Sequence, residues 1–179
     1  MPVLTDAIKK INSSFNVQFV LLLADNLNET TITKFIPPEL KQIILILKND
    51  AYEAIAASDL ALSSCGTANL EAALLETPII AFYRLSPLTY SLGLKFIKIS
   101  NYSIVNNLAG HKVIPELIQK KFSSENIFRE TEKILISPTA RLKMIEDFKK
   151  IRTLLGDKNA FNEIRAFIIY LQQKRCFSG

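Results

Sequence analysis

The chain has 179 residues, 49% of them hydrophobic and 22% charged, a globular composition that excludes a disordered chain and supports a core without staples. Its longest apolar run, residues 19–24, is six residues long, against the ~20 that a membrane-spanning helix needs. Two distant cysteines, Cys65 and Cys176, and a single histidine, His111, argue against a disulfide framework and against structural zinc, and they point to a reducing, cytoplasmic setting. The N-terminus lacks a basic region followed by a long apolar stretch, so no secretory signal is expected.

In chain order, residues 2–12 form a helix with Pro2 near its first position and Leu4, Ile8 and Ile11 on one face. Residues 17–24 are a continuous apolar run, short and β-rich, which predicts a strand buried on both faces. Residues 43–47 predict a second strand and 60–63 a third. Residues 78–83 predict a fourth, with Pro78 at its tolerated first position, and 96–99 predict a fifth. Between them, Asp50 caps a helix over 51–57, with Glu53 closing a capping box, and 67–76 form an alanine- and leucine-rich helix. Strand and helix alternate as in right-handed βαβ units, so the fold class is α/β, a Rossmann-like parallel sheet flanked by helices. After Ile114 the chain turns helical. Ser124 precedes a helix over 125–135, and Ser137-Pro138 opens another that ends near Gly156. Phe161, Ile164, Phe167, Ile168 and Leu171 mark one face of a final helix. The domain reading is a Rossmann-like unit over 1–155 and a C-terminal helix over 156–179.

The net charge is +5, and its whole excess sits between residues 84 and 121, where Arg84, Lys95, Lys98, Lys112, Lys120 and Lys121 face one acid, Glu116. Such a strip serves either as a solvated face or as a surface for phosphates or an anionic membrane. Nucleic acid fits least, because the bases are scattered and no stacking module is visible.

The segment with chemical content is Ser63-Ser64-Cys65-Gly66-Thr67-Ala68-Asn69-Leu70-Glu71, which follows a strand and opens a helix. Gly66 lets a ligand come close to the backbone. The amides of Gly66, Thr67 and Ala68 offer a phosphate unpaired donors and the positive end of the helix dipole. Glu71, one turn on, can accept bonds from two vicinal hydroxyls such as those of a ribose. Open α/β sheets bind ligands at this carboxyl edge. An ordinary tight turn with an exposed glutamate has the same pattern.

Three motifs carry a resemblance. Cys65-Gly66-Thr67-Ala68-Asn69-Leu70-Glu71-Ala72-Ala73-Leu74-Leu75-Glu76-Thr77-Pro78 resembles the signature of the lipid-A-disaccharide synthase family. So do Tyr83-Arg84-Leu85-Ser86-Pro87-Leu88-Thr89-Tyr90 and Asn106-Asn107-Leu108-Ala109-Gly110-His111, the latter followed by Val113-Ile114-Pro115-Glu116-Leu117-Ile118-Gln119. Essentially the whole chain resembles the C-terminal half of that family. The resemblance implies half of a GT-B glycosyltransferase, an inverting hexosyltransferase that needs no metal and no cofactor. The family transfers 2,3-diacylglucosamine from its UDP donor, UDP-2,3-diacylglucosamine, to 2,3-diacylglucosamine 1-phosphate at the inner face of the bacterial inner membrane. The C-terminal half holds the donor.

Carried onto this chain, the resemblance makes Gly66, Thr67 and Ala68 diphosphate ligands and Glu71 the ribose ligand. It places Asn106 near the donor sugar or diphosphate. Arg84 faces a phosphate or forms a structural ion pair. The departures are Cys65 for a usual serine, Val105 and Asn107 for proline and leucine, and His111 for arginine. Cys65 is expected to be a buried small residue, not a nucleophile. The family's N-terminal half, with a Gly-Ser-Arg loop expected just before Met1, would carry the acceptor site and the catalytic base, so no catalytic residue is assigned here.

Three functional readings follow. The first is the donor-binding half of such an enzyme. The second is a non-catalytic remnant or a subunit that pairs with a separate N-terminal half. The third is another UDP-sugar enzyme of the same architecture, such as a UDP-N-acetylglucosamine 2-epimerase, against which the segment 83–90 argues. Leu85, Leu88, Tyr90, Leu92, Leu94 and Phe96 among Arg84, Lys95 and Lys98 suit either an anionic bilayer or internal packing.

Overall fold

Apolar runs become short parallel strands, and the stretches between them become helices. The computed structural model describes residues 2–24, 26–85 and 101–156. The strand expected at 96–99, the apolar segment beyond Leu85 and the final helical stripe from Phe161 to Leu171 lie outside the described residues.

Helix α1 (Pro2–Ser14) starts on its proline and buries Thr5, Ala7 and Ile11 on one side. Strand β1 (Phe19–Leu22) leads through α2 (Glu29–Thr33) and a 3-10 turn at Pro38–Leu40 to β2 (Ile44–Leu47). The two strands pair in parallel, from Phe19 opposite Ile44 to Leu22 opposite Leu47. They are not buried on both faces as their apolar runs predict. Val20 and Leu45, which are register partners, are 40% and 45% exposed, whereas Phe19 packs on the core. The face that carries Val20 and Leu45 is thus the less covered side of this pair.

Helix α3 (Ala51–Ala56) leads to β3 (Ala61–Ser64), α4 (Thr67–Leu74) and β4 (Ile79–Tyr83). The expected capping box at α3 does not form. Asp50 adopts φ 60° and ψ 36°, and its side chain makes no cap bond. A box needs an extended cap residue whose oxygen reaches back over the first turn, and left-handed backbone aims it elsewhere. At the far end of α4, the Thr77 hydroxyl donates to the Ile55 carbonyl at 2.8 Å and ties α3 to the start of β4.

Beyond β4 come α5 (Ile104–Ala109), β5 (Glu116–Ile118), a 3-10 turn at Gln119–Lys121, α6 (Ser124–Ile136) and α7 (Pro138–Leu155). Strand β5 corrects the expectation that the chain is helical after Ile114. It pairs in parallel with β4, Ala81 opposite Glu116 and Tyr83 opposite Ile118, and completes a sheet of order β3-β4-β5. The cap of α6 is Ser123 rather than Ser124, its hydroxyl accepting from the Asn126 amide. Ser137 and Pro138 open α7 as expected.

Strand β4 is central. Ile79, Ile80 and Ala81 are each 0% exposed, as suits a parallel strand covered on both sides. Around it lie Val105 of α5, Ile114, Ile127 of α6, and Phe148 and Ile151 of α7. This packing fixes the carboxyl ends of β3 and β4 side by side.

Candidate functional site

The Cys65 amide donates to the Phe82 carbonyl at 2.9 Å, so the ladder between β3 and β4 runs one residue past β3. The chain then turns at Gly66 into α4. Gly66 caps that helix with extended backbone, φ −176° and ψ −167°, which any residue can adopt. A Cβ built there would meet only the Ser64 carbonyl oxygen, at 3.9 Å. Among the described residues nothing requires glycine at this position, and its lack of a side chain leaves room for a close approach to the backbone. Gly66, Thr67 and Ala68 are all exposed, and no side chain caps the first turn of α4. The amides at this end, with the positive end of the helix dipole, face open space.

Glu71 sits one turn further along α4. It is half-buried, yet it makes no ion pair and no side-chain hydrogen bond among the described residues. Arg84 follows β4 directly. It is exposed and likewise without an ion pair among the described residues. Ser64 and Phe82 are register partners, and Gly66 and Arg84 each lie two residues beyond that pair. The glycine loop and the Arg84 guanidinium therefore follow adjacent strands at one edge of the sheet, with Glu71 one turn into the helix that starts there, both side chains unpaired among the described residues. They can hold a phosphate between amides and Arg84, and a diol at Glu71.

Asn106 is different. It is 0% exposed, and its amide is fully used inside the chain. Oδ1 accepts from the Val113 and Ile114 amides at 2.8 and 2.9 Å. Nδ2 donates to the Ile114 carbonyl at 3.0 Å and to Glu116 Oε1 at 2.8 Å. Glu116 in turn accepts from the amides of Tyr102 and Ser103, just ahead of α5, and the Ser103 hydroxyl caps that helix. With both lone-pair sites and both donors taken, Asn106 has nothing left for a sugar or a diphosphate. The expectation of a donor contact is corrected to an architectural role. Asn106 closes the loop between α5 and β5 and holds Glu116 in place.

Cys65 is half-buried, and burial first, then the negative charge of Glu116, push its thiol up to about 11. It stays protonated at neutral pH and is a poor nucleophile. His111 has its partners elsewhere. Nδ1 lies 2.9 Å from the Ala109 carbonyl and Nε2 lies 3.3 Å from Asp147 of α7. Lys150 bonds the same carboxylate at 2.7 Å, and these contacts hold Asp147 below the usual carboxylate range, Lys150 contributing most.

Two residues escaped sequence reasoning. Asn69 on α4 is 0% exposed with neither amide atom paired. Gln119 brackets the backbone beside Arg84 from 34 positions away. Lys112, Lys120 and Lys121 are exposed and make no ion pair among the described residues; Lys95 and Lys98 lie outside them. Among the described residues no group of three His, Cys, Asp or Glu converges as a metal site would require, and no helix is long and apolar enough to cross a membrane. A cleft of about 240 Å³ opens elsewhere, between α5 and α7, lined by Leu108, His111, Asp147 and Ile151.

Residues 1–167 match the family model described as lipid-A-disaccharide synthetase. A lipid-A-disaccharide synthase of Syntrophus aciditrophicus (strain SB) is 35% identical over 179 residues, covering 97% of this chain and 46% of its own length. That of Acinetobacter baylyi is 36% identical over 143 residues, 76% of this chain and 36% of its own. That of Gloeothece citriformis is 35% identical over 160 residues, 88% and 41%. The chain spans less than half the length of these curated relatives.

Proposed function

The chain belongs to the lipid-A-disaccharide synthetase family, and from that premise we propose that it is the donor-binding half of a GT-B glycosyltransferase. The reaction is transfer of 2,3-diacylglucosamine from UDP-2,3-diacylglucosamine to 2,3-diacylglucosamine 1-phosphate. Its products are the β-1,6-linked disaccharide and UDP. The observation that carries this reading is the exposed, glycine-capped start of α4 beside unspent Glu71 and Arg84.

In this role the amides of Gly66, Thr67 and Ala68 take the diphosphate, and Glu71 accepts from the ribose hydroxyls. Arg84 offsets the negative charge that grows on UDP as it leaves. The base that deprotonates the attacking hydroxyl, and the acceptor site, belong to the other half of the enzyme. Exposed Arg84, Lys112, Lys120 and Lys121 suit an anionic bilayer at the cytoplasmic face of the inner membrane, where diacylated substrates reside. Co-sedimentation with vesicles should rise with the fraction of anionic lipid, and indifference to that fraction argues against the membrane contact.

The test of the donor site is a UDP titration followed by amide NMR. Saturable shifts at Gly66, Thr67, Ala68 and Glu71 are expected. An intact fold with no shift removes the donor role from this chain.

A further inference from the structure

Strand β5 ends at Ile118, opposite Tyr83, yet β4's neighbour does not stop being paired there. Gln119 turns away with φ 53°, a left-handed conformation that a residue with a side chain seldom adopts. Its backbone therefore cannot supply the next rung of the ladder. Its side chain does. Gln119 Oε1 accepts from the Leu85 amide at 3.0 Å, and Nε2 donates to the Leu85 carbonyl at 3.3 Å. A primary amide carries the same donor and acceptor pair as a peptide group, so Gln119 stands in for a missing strand residue. The turn that follows holds Gln119 in this pose, since the Phe122 amide donates to the Gln119 carbonyl at 3.1 Å and Phe122 stacks on Phe82 of β4 at 4.7 Å. Strained backbone kept in place by its surroundings points to a function for the pose.

The residue so fixed is the one after Arg84. Arg84 is exposed and has no ion pair among the described residues to orient it, so its backbone sets where the guanidinium can reach. We propose that Gln119 is a positioning residue for Arg84, holding it at the Gly66 edge so that it can meet the diphosphate of a nucleotide. This rests on the donor-site reading above. It extends that reading to a side chain that never touches the ligand.

The test compares UDP and uridine binding, by NMR titration, across the wild-type chain, Gln119→Gly, Gln119→Leu, Arg84→Ala and the double variant Arg84→Ala/Gln119→Gly. Glycine removes the bracket and relieves the positive φ, whereas leucine removes the bracket and keeps the bulk. Both should weaken UDP binding roughly fivefold, the worth of about one lost hydrogen bond, and leave uridine binding unchanged. The double variant should be little worse than Arg84→Ala alone, because the two residues act as one unit. A folded Gln119→Gly or Gln119→Leu chain that binds UDP like wild type overturns the inference. So does an equal loss for UDP and uridine, which marks a structural role only, and so does strict additivity with Arg84→Ala. A wild-type chain that binds no UDP overturns the donor-site reading itself, and this inference falls with it.

Discussion

Two regions of this molecule carry polar residues at family-like positions, and they treat those residues in opposite ways. At the edge of β3 and β4, Gly66, Thr67 and Ala68 are exposed, and Glu71 and Arg84 have no partners among the described residues. At the junction of α5 and β5, Ser103, Asn106 and Glu116 spend their polar atoms on one another and on nearby backbone. Buried polar groups that are fully bonded specify a fold. Polar groups left unspent at a sheet edge are available to a ligand. The difference shows that resemblance marks positions, while hydrogen-bond accounting tells which of them can touch a ligand.

The largest test of this division pairs one substitution from each region. Asn106→Ala would leave the Val113 and Ile114 amides and the Glu116 carboxylate short of partners at a buried to part-buried junction. Unmet buried groups cost about 1–3 kcal/mol each, so the folded state should lose about 3 kcal/mol or more in urea unfolding. Asn106→Asp should not rescue it. It keeps the acceptor for the two amides but sets a second carboxylate within hydrogen-bond reach of Glu116. Glu71→Gln should do the reverse. Stability should move by no more than about 0.5 kcal/mol, because no bond within the described chain is lost. UDP affinity should fall roughly tenfold, the worth of a hydrogen bond to a charged group. If Glu71→Gln unfolds the chain, or if a stable Asn106→Ala chain loses only UDP binding, the two regions have been assigned the wrong way round.

How much of this was legible in the sequence varies along the chain. Strand β4 was, because a parallel strand covered on both sides needs a long apolar run, and 78–83 is one. Strand β5 was not. It has three residues, begins on Glu116 and follows a proline, so neither apolar period nor β-propensity marks it; its pairing with β4 does. The cap at Asp50 fits the sequence pattern but not its backbone, and a left-handed φ is invisible in a residue that tolerates several conformations. Two adjacent serines leave the start of α6 ambiguous by one residue. The glycine loop was legible because its pattern of strand, glycine, threonine and helix is local. Asn106 looked like a ligand residue because resemblance places a polar group there. Only its partners, seven to ten positions on, show that it faces inward. The Gln119 bracket joins residues 34 positions apart, and no local signal connects them.

The smallest effect lies where the two regions meet. Cys65 opens the glycine loop, and Glu116 belongs to the buried network, yet the Glu116 charge helps to push the Cys65 thiol up to about 11, after burial as the larger cause. The folded value stands above that of an unfolded thiol. The stability tied to this proton is therefore complete below the ordinary thiol range and is lost as pH rises toward about 11. In a Cys176→Ser background, alkylation of Cys65 should stay slow at pH 8 and climb about tenfold per pH unit until the thiol ionises near its raised value. Adding Glu116→Gln should shift that profile to lower pH, but only partway, since burial remains. A profile that does not move means that the carboxylate does not reach the loop electrically. A profile that falls to the range of a free thiol means that the substitution has opened the loop, and that the architectural network is what keeps the candidate site in shape.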